Sequence, residues 1–316
     1  MVLEGYREEI ARIFGIAERE IAELPLAVRD IGKALLSRSN PLTNGGGTNA
    51  ISFLLPYWIQ ETTNAPLHVC RDLAVGNLYI MLHYFVLDDA MDGSTGRLAA
   101  GLRRSLALGQ LLQGMYRERY ARYFPSESPL WRYEHHYMRE WAAVVSREGE
   151  VPADPRDRGQ LAGKAAPIKL CAAGLLQWTG REEQIPGMEE SVELALAILQ
   201  LSDDYTDWRE DLDKPVGNAF LTIVREKLEL SAEEPLDERA VRQAIYRRGC
   251  VSLLADIAEA YVERLRAIPD VPSGLSDFGS KVAHDLSDEA ARIDEAIHDL
   301  ALGGGLSHFL SNLQKL

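Results

Sequence analysis

The segment from Leu67 to Asp92 most restricts what this chain can fold into. It reads LHVCRDLAVGNLYIMLHYFVLDDAMD, contains no proline, and repeats apolar residues at helical spacing over 26 residues. At about 1.5 Å of rise per residue, a single helix of this length spans most of a domain. The segment therefore predicts one long helix against which the rest of the chain packs.

Helical periodicity also dominates the rest of the 316-residue chain. Proline and glycine breakers separate the helical stretches, strand-like alternation is rare, and no repeat of fixed period occurs. We predict an all-α chain that forms a single-domain helical bundle over residues 1–316. Residues 1–65 would hold N-terminal helices and a Gly-rich loop, and residues 66–316 the helical core and the C-terminal helices. The later helices are predicted at Leu98–Tyr123, Leu130–Arg147, Arg156–Trp178, Met188–Asp211, Asp237–Ala267 and Leu275–Leu300.

Two acidic clusters of the form DDxxD each follow a long apolar helical run. Residues four apart lie on one face of a helix, so each cluster presents a patch of carboxylates at a helix end. Carboxylates there oppose the helix dipole, and unpaired charges beside a core are costly. Acidic residues at exposed helix ends are the simpler alternative, but two matched clusters favour a Mg²⁺ site that also binds substrate phosphate. The six residues are Asp88, Asp89, Asp92, Asp203, Asp204 and Asp207.

The charge balance argues against one class of partner. Lys and Arg number 34 against 48 Asp and Glu, a formal net charge of −14, whereas nucleic acid binding needs a basic surface. The three cysteines form no CxxC pair, which is typical of reduced thiols in a cytoplasmic protein. The charged N-terminal segment is unlike a secretory signal, and no apolar run reaches the roughly 20 residues of a membrane span. We therefore expect a cytoplasmic protein.

Together the two motifs give the sequence a resemblance to the trans-prenyltransferase branch of the class I isoprenoid synthases, from about Gly32 to Arg225. In that all-helical family of terpene and polyprenyl synthases, two aspartate-rich motifs face each other across a deep central cavity. The second family motif, FQxxDDxxD, is matched by LQLSDDYTD, including Gln200. The family's diphosphate-binding Lys is matched by Lys164 in GKAAPIKL, although Ala165 replaces the usual Thr. An Arg that contacts the allylic diphosphate is matched by Arg97.

The resemblance implies cofactors, partners and further site residues. About three Mg²⁺ ions would be held by the six aspartates and would bind a prenyl diphosphate substrate, and the protein would be a homodimer. Arg209 and Lys214 follow the second motif and would close over the diphosphate, with a surface salt bridge as the alternative role of Arg209. Aromatic faces stabilise a carbocation by cation–π attraction, with plain core packing as the alternative role. The aromatic candidates are Tyr57, Trp58, Tyr84, Phe85, Trp141 and Trp178.

Tyr84 has a more specific expectation than the other aromatic candidates. It lies four residues before Asp88 and therefore on the same helix face, and Ile80 and Gly76 continue that stripe. In the resembling family, bulk four or five residues before the first Asp limits the chain length of the product. Tyr84 is expected at the floor of the hydrocarbon cavity, with an ordinary core tyrosine as the alternative.

Departures from the family pattern concern isopentenyl diphosphate, the second substrate of chain elongation. The early GGKxxR motif keeps Lys33 in IGKALLSR but has Leu36 in place of the Arg. Met81 stands where a His or Gln is usual, and Leu98 replaces the second residue of an Arg pair. Each lost charge-assisted hydrogen bond costs on the order of 1.5–3 kcal/mol. The sequence thus predicts a terpene synthase that ionises one allylic diphosphate, preferably C15 or C20, and releases a hydrocarbon or an alcohol.

Three alternatives stay open on the sequence alone. A short-chain trans-prenyl diphosphate synthase would rebuild its isopentenyl diphosphate site from other cations. A non-catalytic partner subunit would keep the fold, but such subunits usually lose their aspartates. A metal phosphohydrolase would need clustered His and Asp ligands. The cations for the first alternative are Arg38, Arg71, Arg103 and Arg104, and the ligands for the last are His135, His136, His284 and Asp285.

Overall fold

A computed structural model describes residues 4–44, 49–91, 99–213, 215–231 and 234–299. These residues are mostly helical and contain no β-strand, so the all-α prediction is confirmed. The helices are α1 (Arg7–Ala22), α2 (Leu26–Arg38), α3 (Pro41–Asn44), α4 (Ala50–Thr63), α5 (Leu67–Met91), α6 (Ala99–Ala121), α7 (Leu130–Val145), α8 (Arg158–Gly163), α9 (Leu170–Trp178), α10 (Ile185–Asp207), α11 (Ala219–Leu228), α12 (Glu238–Arg248), α13 (Cys250–Ala267) and α14 (Ser273–Asp299).

The long helix α5 matches its prediction and forms the centre of the N-terminal helices. All of its residues from Leu73 to His83 are buried, as expected for a helix that is apolar on every side. Helices α4 and α6 pack against it. At Gly76 a Cβ atom would lie 3.1 Å from the Tyr120 ring on α6, so this glycine permits a close approach of the two helices. The Tyr120 hydroxyl donates to Asn77 Oδ1 at 2.7 Å, so this buried oxygen has a partner.

The chain forms two compact units. The first contains the cores of α4 and α5. The second is built around a cluster of buried apolar side chains that includes Phe220, Val224 and Leu254. The first unit comprises Met1–Arg139, Ala166–Glu190 and Pro269–Asp277, and the second comprises Glu140–Ala165, Ser191–Ile268 and Phe278–Leu316.

Side-chain caps fix the starts of three short helices of the second unit. Asp157 accepts from the Gln160 N–H at 3.0 Å, Asn218 from the Leu221 N–H at 2.9 Å, and Asp237 from the Ala240 N–H at 2.7 Å. Each bond satisfies one of the free N–H groups at a helix N-terminus and contributes about 0.5–2 kcal/mol. These caps fix where α8, α11 and α12 begin.

Two helices were predicted as continuous and are broken in the structure. The predicted helix Arg156–Trp178 is interrupted between Gly163 and Leu170 by a 3₁₀ turn, Ala166–Lys169, which contains Pro167. A proline has no N–H to donate to the preceding turn, so α-helical hydrogen bonding stops there. The predicted helix Asp237–Ala267 is interrupted at Gly249, whose φ of +62° is left-handed. In both cases a breaker residue outweighs the apolar periodicity.

Within the described part of the chain, no helix has the length and apolar character required to cross a lipid bilayer. The three cysteines, Cys70, Cys171 and Cys250, are buried and free of disulfide bonds.

Candidate functional site

The first aspartate motif lies in the last turn of α5. Asp88 and Asp89 are exposed there, immediately after the buried part of the helix. The helix ends at Met91. Asp92 and Arg97 lie outside the described residues, so the structure describes only the first two carboxylates of this motif.

The second aspartate motif ends α10 and lies in a more buried setting. Burial, together with the charges of Asp207 and Asp204, raises the pKa of Asp203 to about 7. Burial also raises the pKa of Asp204, to about 6, although the Lys164 ammonium opposes the shift. The pKa of Asp207 is raised as well, by burial and by the charges of neighbouring acidic side chains. Ionisation of Asp203 is therefore opposed both by burial and by the neighbouring carboxylates, and a bound cation would favour the ionised form.

Asp204 is held by the start of α11. Its carboxylate accepts hydrogen bonds from Gln200 Nε2 and from the Ala219 N–H, both at 2.7 Å. Its carbonyl oxygen accepts from Asn218 Nδ2 at 2.8 Å. Asn218 was not predicted as a site residue, although an Asn directly before the apolar run AFLTIV is a helix N-cap signal. The hydrogen bonds leave Asp204 with a fixed orientation at the end of α10.

Lys164 lines the same small pocket as Gln200 and Asp204. Its Nζ forms an ion pair of 2.5 Å with Glu148 Oε1. Arg147 also lines the pocket. Neither Arg147 nor Glu148 was predicted as a site residue, because both lie in the turn after α7, and the sequence gives no indication of which residue there meets Lys164. The second unit thus brings together cationic, amide and carboxylate groups suited to a metal-bound diphosphate.

Gly163 determines how Lys164 is presented. A Cβ atom at this position would lie 2.5 Å from Val144 Cγ2, so only glycine fits without displacing α7. Helix α8 ends at Gly163, and Lys164 is the next residue. The close approach of Gly163 to Val144 therefore positions the next residue, Lys164, whose side chain pairs with Glu148.

Of the two predicted cations that follow the second motif, the structure describes only Arg209. Arg209 is exposed, with its guanidinium carbon 5.1 Å from the centre of the Trp208 ring and its Nε 3.5 Å from Glu238 Oε1. Lys214 lies outside the described residues. Closure of either side chain over a diphosphate stays a prediction.

The second motif offers carboxylate oxygens, which are the type of ligand that Mg²⁺ binds in proteins. Among the described residues, no group of three or more His, Cys, Asp and Glu side chains lies close enough together to hold a metal ion. Mg²⁺ commonly uses only one or two carboxylates and completes its shell with water and substrate phosphate. The burial of Asp203 beside the like charges of Asp204 and Asp207, which raises its pKa, fits a cation at this motif.

Comparisons with known proteins support the fold. No family model and no curated protein sequence matches the chain. The structure is similar to geranylgeranyl pyrophosphate synthase from Lactobacillus brevis ATCC 367, with 14% identity and a TM-score of 0.64 over 89% of this chain and 96% of that one. It is also similar to T. brucei FPPS in two ligand complexes. These have TM-scores of 0.59 and 0.57 and identities of 14% and 15%, and cover 90% and 91% of this chain and all of the other. The chain has the isoprenoid synthase fold.

In this isoprenoid synthase fold, Tyr84 of α5 lines a small cavity in the first unit together with Ile80 and Glu134. Glu134 was not predicted as a site residue. Its signal was available, because Leu130, Glu134 and Tyr137 have helical spacing and are all buried on α7. A Glu at a core position of a helix is an unusual choice that points to a specific role.

The other aromatic candidates differ in burial. Tyr57 and Trp58 are fully buried in α4, and the Tyr57 hydroxyl donates to Glu9 at 3.0 Å. Phe85 and Trp141 are half-buried. Trp178 is exposed and packs edge-on against Tyr123 and Phe124. Their contact with a substrate stays a prediction.

The cations and histidines of the alternative predictions are scattered. Arg71 is paired with Glu9 through two hydrogen bonds of 2.8 and 2.9 Å. His284 lies 3.6 Å from Asp288 on the same exposed helix face. Arg38, Arg103, Arg104, His135 and His136 are exposed.

Proposed function

We propose that the protein is a Mg²⁺-dependent enzyme that ionises an allylic prenyl diphosphate. The observation that carries this proposal is the pocket of the second unit. There Lys164 and Gln200 meet Asp204, whose pKa, like that of Asp203, is raised by burial. Carboxylates in this electrostatic state gain most from a bound divalent cation, and the cation in turn binds diphosphate oxygens.

The chain's own residues then have separable tasks. The six aspartates of the two motifs would hold Mg²⁺, which when bound supplies Lewis-acid activation of the leaving diphosphate. Lys164 would exchange its Glu148 partner for a diphosphate oxygen and stabilise the charge that develops as the carbon–oxygen bond breaks. Gln200 would keep Asp204 oriented through the 2.7 Å hydrogen bond. The apolar walls would keep water from the allylic carbocation until the last step of the reaction.

For the second step we propose terpene synthase chemistry, in which the allylic carbocation reacts with its own hydrocarbon chain. Leu36 and Met81 stand where elongating relatives have polar anchors for isopentenyl diphosphate, and here both are buried core residues. A polar anchor cannot be supplied from these positions without unpacking α2 or α5. The product would be a hydrocarbon or an alcohol, formed from a C15 or C20 substrate.

Chain elongation with isopentenyl diphosphate is the second candidate. The structural comparisons favour it, because the named neighbours are prenyl diphosphate synthases rather than lyases. Arg38, Arg103 and Arg104 are exposed cations that would have to bind the second diphosphate.

Product analysis separates the two candidates. Purified protein is incubated with Mg²⁺ and C10, C15, C20 or C25 all-trans prenyl diphosphate, each with and without isopentenyl diphosphate. Terpene synthase chemistry gives diphosphate plus a hydrocarbon or alcohol from a single substrate. Elongation gives longer prenyl diphosphates, and only when isopentenyl diphosphate is present. If none of the eight incubations releases diphosphate, the proposed function is wrong.

A further inference from the structure

A buried carboxylate lies in an aromatic environment close to the first aspartate motif. The Glu134 side chain is only 6% exposed, and its Oε2 lies 3.4 Å from Arg117 Nη1. The geometry of this ion pair is not that of a hydrogen bond, and Oε2 has no hydrogen-bond partner among the described residues. A buried carboxylate oxygen without a hydrogen bond is costly and needs an explanation.

The carboxylate lines a cavity that is otherwise mostly aromatic and apolar. About 10 Å³ of this cavity is open, which is room for about one water molecule. Gln113 is a second polar group on its wall. The remaining lining side chains are Ile80, Tyr84, Tyr116, Tyr137, Met138, Pro167 and Leu170.

The Glu134 charge acts on two of the tyrosines that line this cavity. Burial raises the pKa of Tyr84, and the Glu134 charge raises it further. The same two causes raise the pKa of Tyr116. The pKa of Glu134 itself is raised by burial and lowered by the Arg117 charge. Glu134 is therefore a buried carboxylate placed to accept a proton, and Arg117 is the cation paired with it.

The position of the cavity along α5 relates it to the proposed reaction. Ile80, Tyr84 and Asp88 are spaced by four residues and share one helix face. At about 1.5 Å per residue, Tyr84 lies about 6 Å and Ile80 about 12 Å before Asp88 along the helix axis. A prenyl chain bound by its diphosphate at Asp88 and extending along this face would bring its distal carbons, and not C1, to the cavity.

We infer that Glu134 is the general base that ends the reaction, acting on a single water molecule held in this cavity, so that the product is an alcohol. This inference rests on the proposed function, because it needs a carbocation that has moved away from C1. In elongation the cation stays beside the diphosphate, and a carboxylate at the distal end would have no task.

The step balances without a further reactant. A lone pair of the water oxygen forms the new bond to the cationic carbon, and the resulting oxonium loses one proton to Glu134. The products are a neutral alcohol and a protonated Glu134, which returns its proton to solvent when the product leaves. Transfer through one water is within the reach of a general base.

The test compares Glu134→Gln with the wild type and with Glu118→Gln, a matched control at an exposed position of α6. Each protein is incubated with the four prenyl diphosphates and Mg²⁺ in H₂¹⁸O, and both released diphosphate and ¹⁸O-labelled alcohol are measured. We expect labelled alcohol from the wild type and the control. In Glu134→Gln, diphosphate should still be released while the alcohol share of the products falls at least about tenfold in favour of alkenes.

Two further variants separate chemistry from packing. Glu134→Asp keeps a carboxylate and should keep alcohol as the main product at a lower rate. Gln113→Leu removes a second polar wall group and should lower the alcohol share even if Glu134→Gln does not fold. An unchanged alcohol share in a folded Glu134→Gln protein, or a wild-type product without alcohol, would overturn the role of Glu134 and leave the proposed function standing. Absence of diphosphate release from every substrate would overturn the proposed function itself.

Discussion

The two aspartate motifs have the same spacing but different surroundings. In the first motif, Asp88 and Asp89 stand exposed in the last turn of α5. In the second, Asp204 is only 4% exposed and is bonded to the start of α11, and Asp203 has a pKa of about 7. A DDxxD pattern therefore specifies which residues share a helix face, but the packing around the helix end decides how much their charges repel.

This difference suggests a division of work between the motifs. The exposed carboxylates of the first motif can meet a metal-bound substrate with little reorganisation. Without metal, the buried charges of the second motif destabilise the folded protein. Stability and metal binding should therefore depend more strongly on cations and on pH at the second motif than at the first.

The largest expected effect is the loss of turnover when either motif is broken. Asp88→Ala and Asp203→Ala should each lower the rate of diphosphate release more than about 100-fold, because even outer-shell losses at metal sites typically cost 10–100-fold. Circular dichroism should show an unchanged helical content, since neither change removes core volume. Wild-type rates in either variant, or in the presence of EDTA, would contradict a metal role for that motif.

The residues one turn before each motif offer a second contrast. Leu199 lies four residues before Asp203 and is buried, so Leu199→Ala should lower the free energy of unfolding by about 2–5 kcal/mol without changing the substrate range. Tyr84→Ala removes a cavity-lining ring and should allow a prenyl diphosphate one isoprene unit longer, or give more acyclic product. Denaturant unfolding measures the effect of Leu199→Ala, and product analysis measures the effect of Tyr84→Ala. An unchanged product profile in folded Tyr84→Ala would leave Tyr84 as a core residue.

Apo-protein stability should separate the motifs next. The folded-state pKa of Asp203, about 7, lies above its ordinary value of 3.8, so the folded state binds a proton that the unfolded state releases in this range. The contribution of Asp203 to wild-type stability should therefore rise as the pH falls from 8 towards 4. At pH 8, Asp203→Asn should raise the free energy of unfolding by up to about 4 kcal/mol and flatten this dependence. Asp88→Asn, at an exposed position, should change it by less than about 0.5 kcal/mol. Equal effects of the two variants would contradict the contrast.

Mg²⁺ binding should show a smaller, related dependence. Protons compete with the metal for Asp203 and Asp204, so the Mg²⁺ affinity of the wild type should fall up to about tenfold between pH 7 and pH 6. Titration calorimetry in two buffers with different ionisation enthalpies should detect proton release at pH 7. Asp203→Asn should lose much of this release and Asp88→Asn should retain it. An affinity that is independent of pH would rule out proton competition at the second motif.

The smallest expected effect concerns the partner of Lys164. Glu148→Gln should free the ammonium and lower the Kd for inorganic diphosphate in the presence of Mg²⁺ by up to about fivefold, as expected for loss of a partly exposed ion pair of 0.2–1 kcal/mol. Glu150→Gln, an exposed change two residues away, is the control. An unchanged Kd in Glu148→Gln would mean that this ion pair does not compete with diphosphate.

Local patterns predicted those features that depend on neighbouring residues along the chain. The extent of α5 and the all-α class follow from periodicity, and the assignment of Lys164 and Gln200 to substrate binding came from the family resemblance. Glu148 could not be predicted as the partner of Lys164, because the pairing depends on how α8 packs against α7. The break at Pro167 was predictable from chemistry, but the apolar periodicity on either side concealed it. The sequence places Glu134 at a core position of a helix, which is unusual for a Glu. Only the cavity in the structure suggests what this residue does.

The contact between Gly163 and Val144 also has a consequence for evolution. Because a single methyl group would collide with Val144 there, natural selection has no small step by which to vary residue 163 alone. Ala165, two residues later, already differs from the usual Thr and is free of that restriction. Among descendants of a common ancestral gene, position 163 should therefore remain glycine while position 165 drifts, and any exception should carry a compensating smaller residue at position 144.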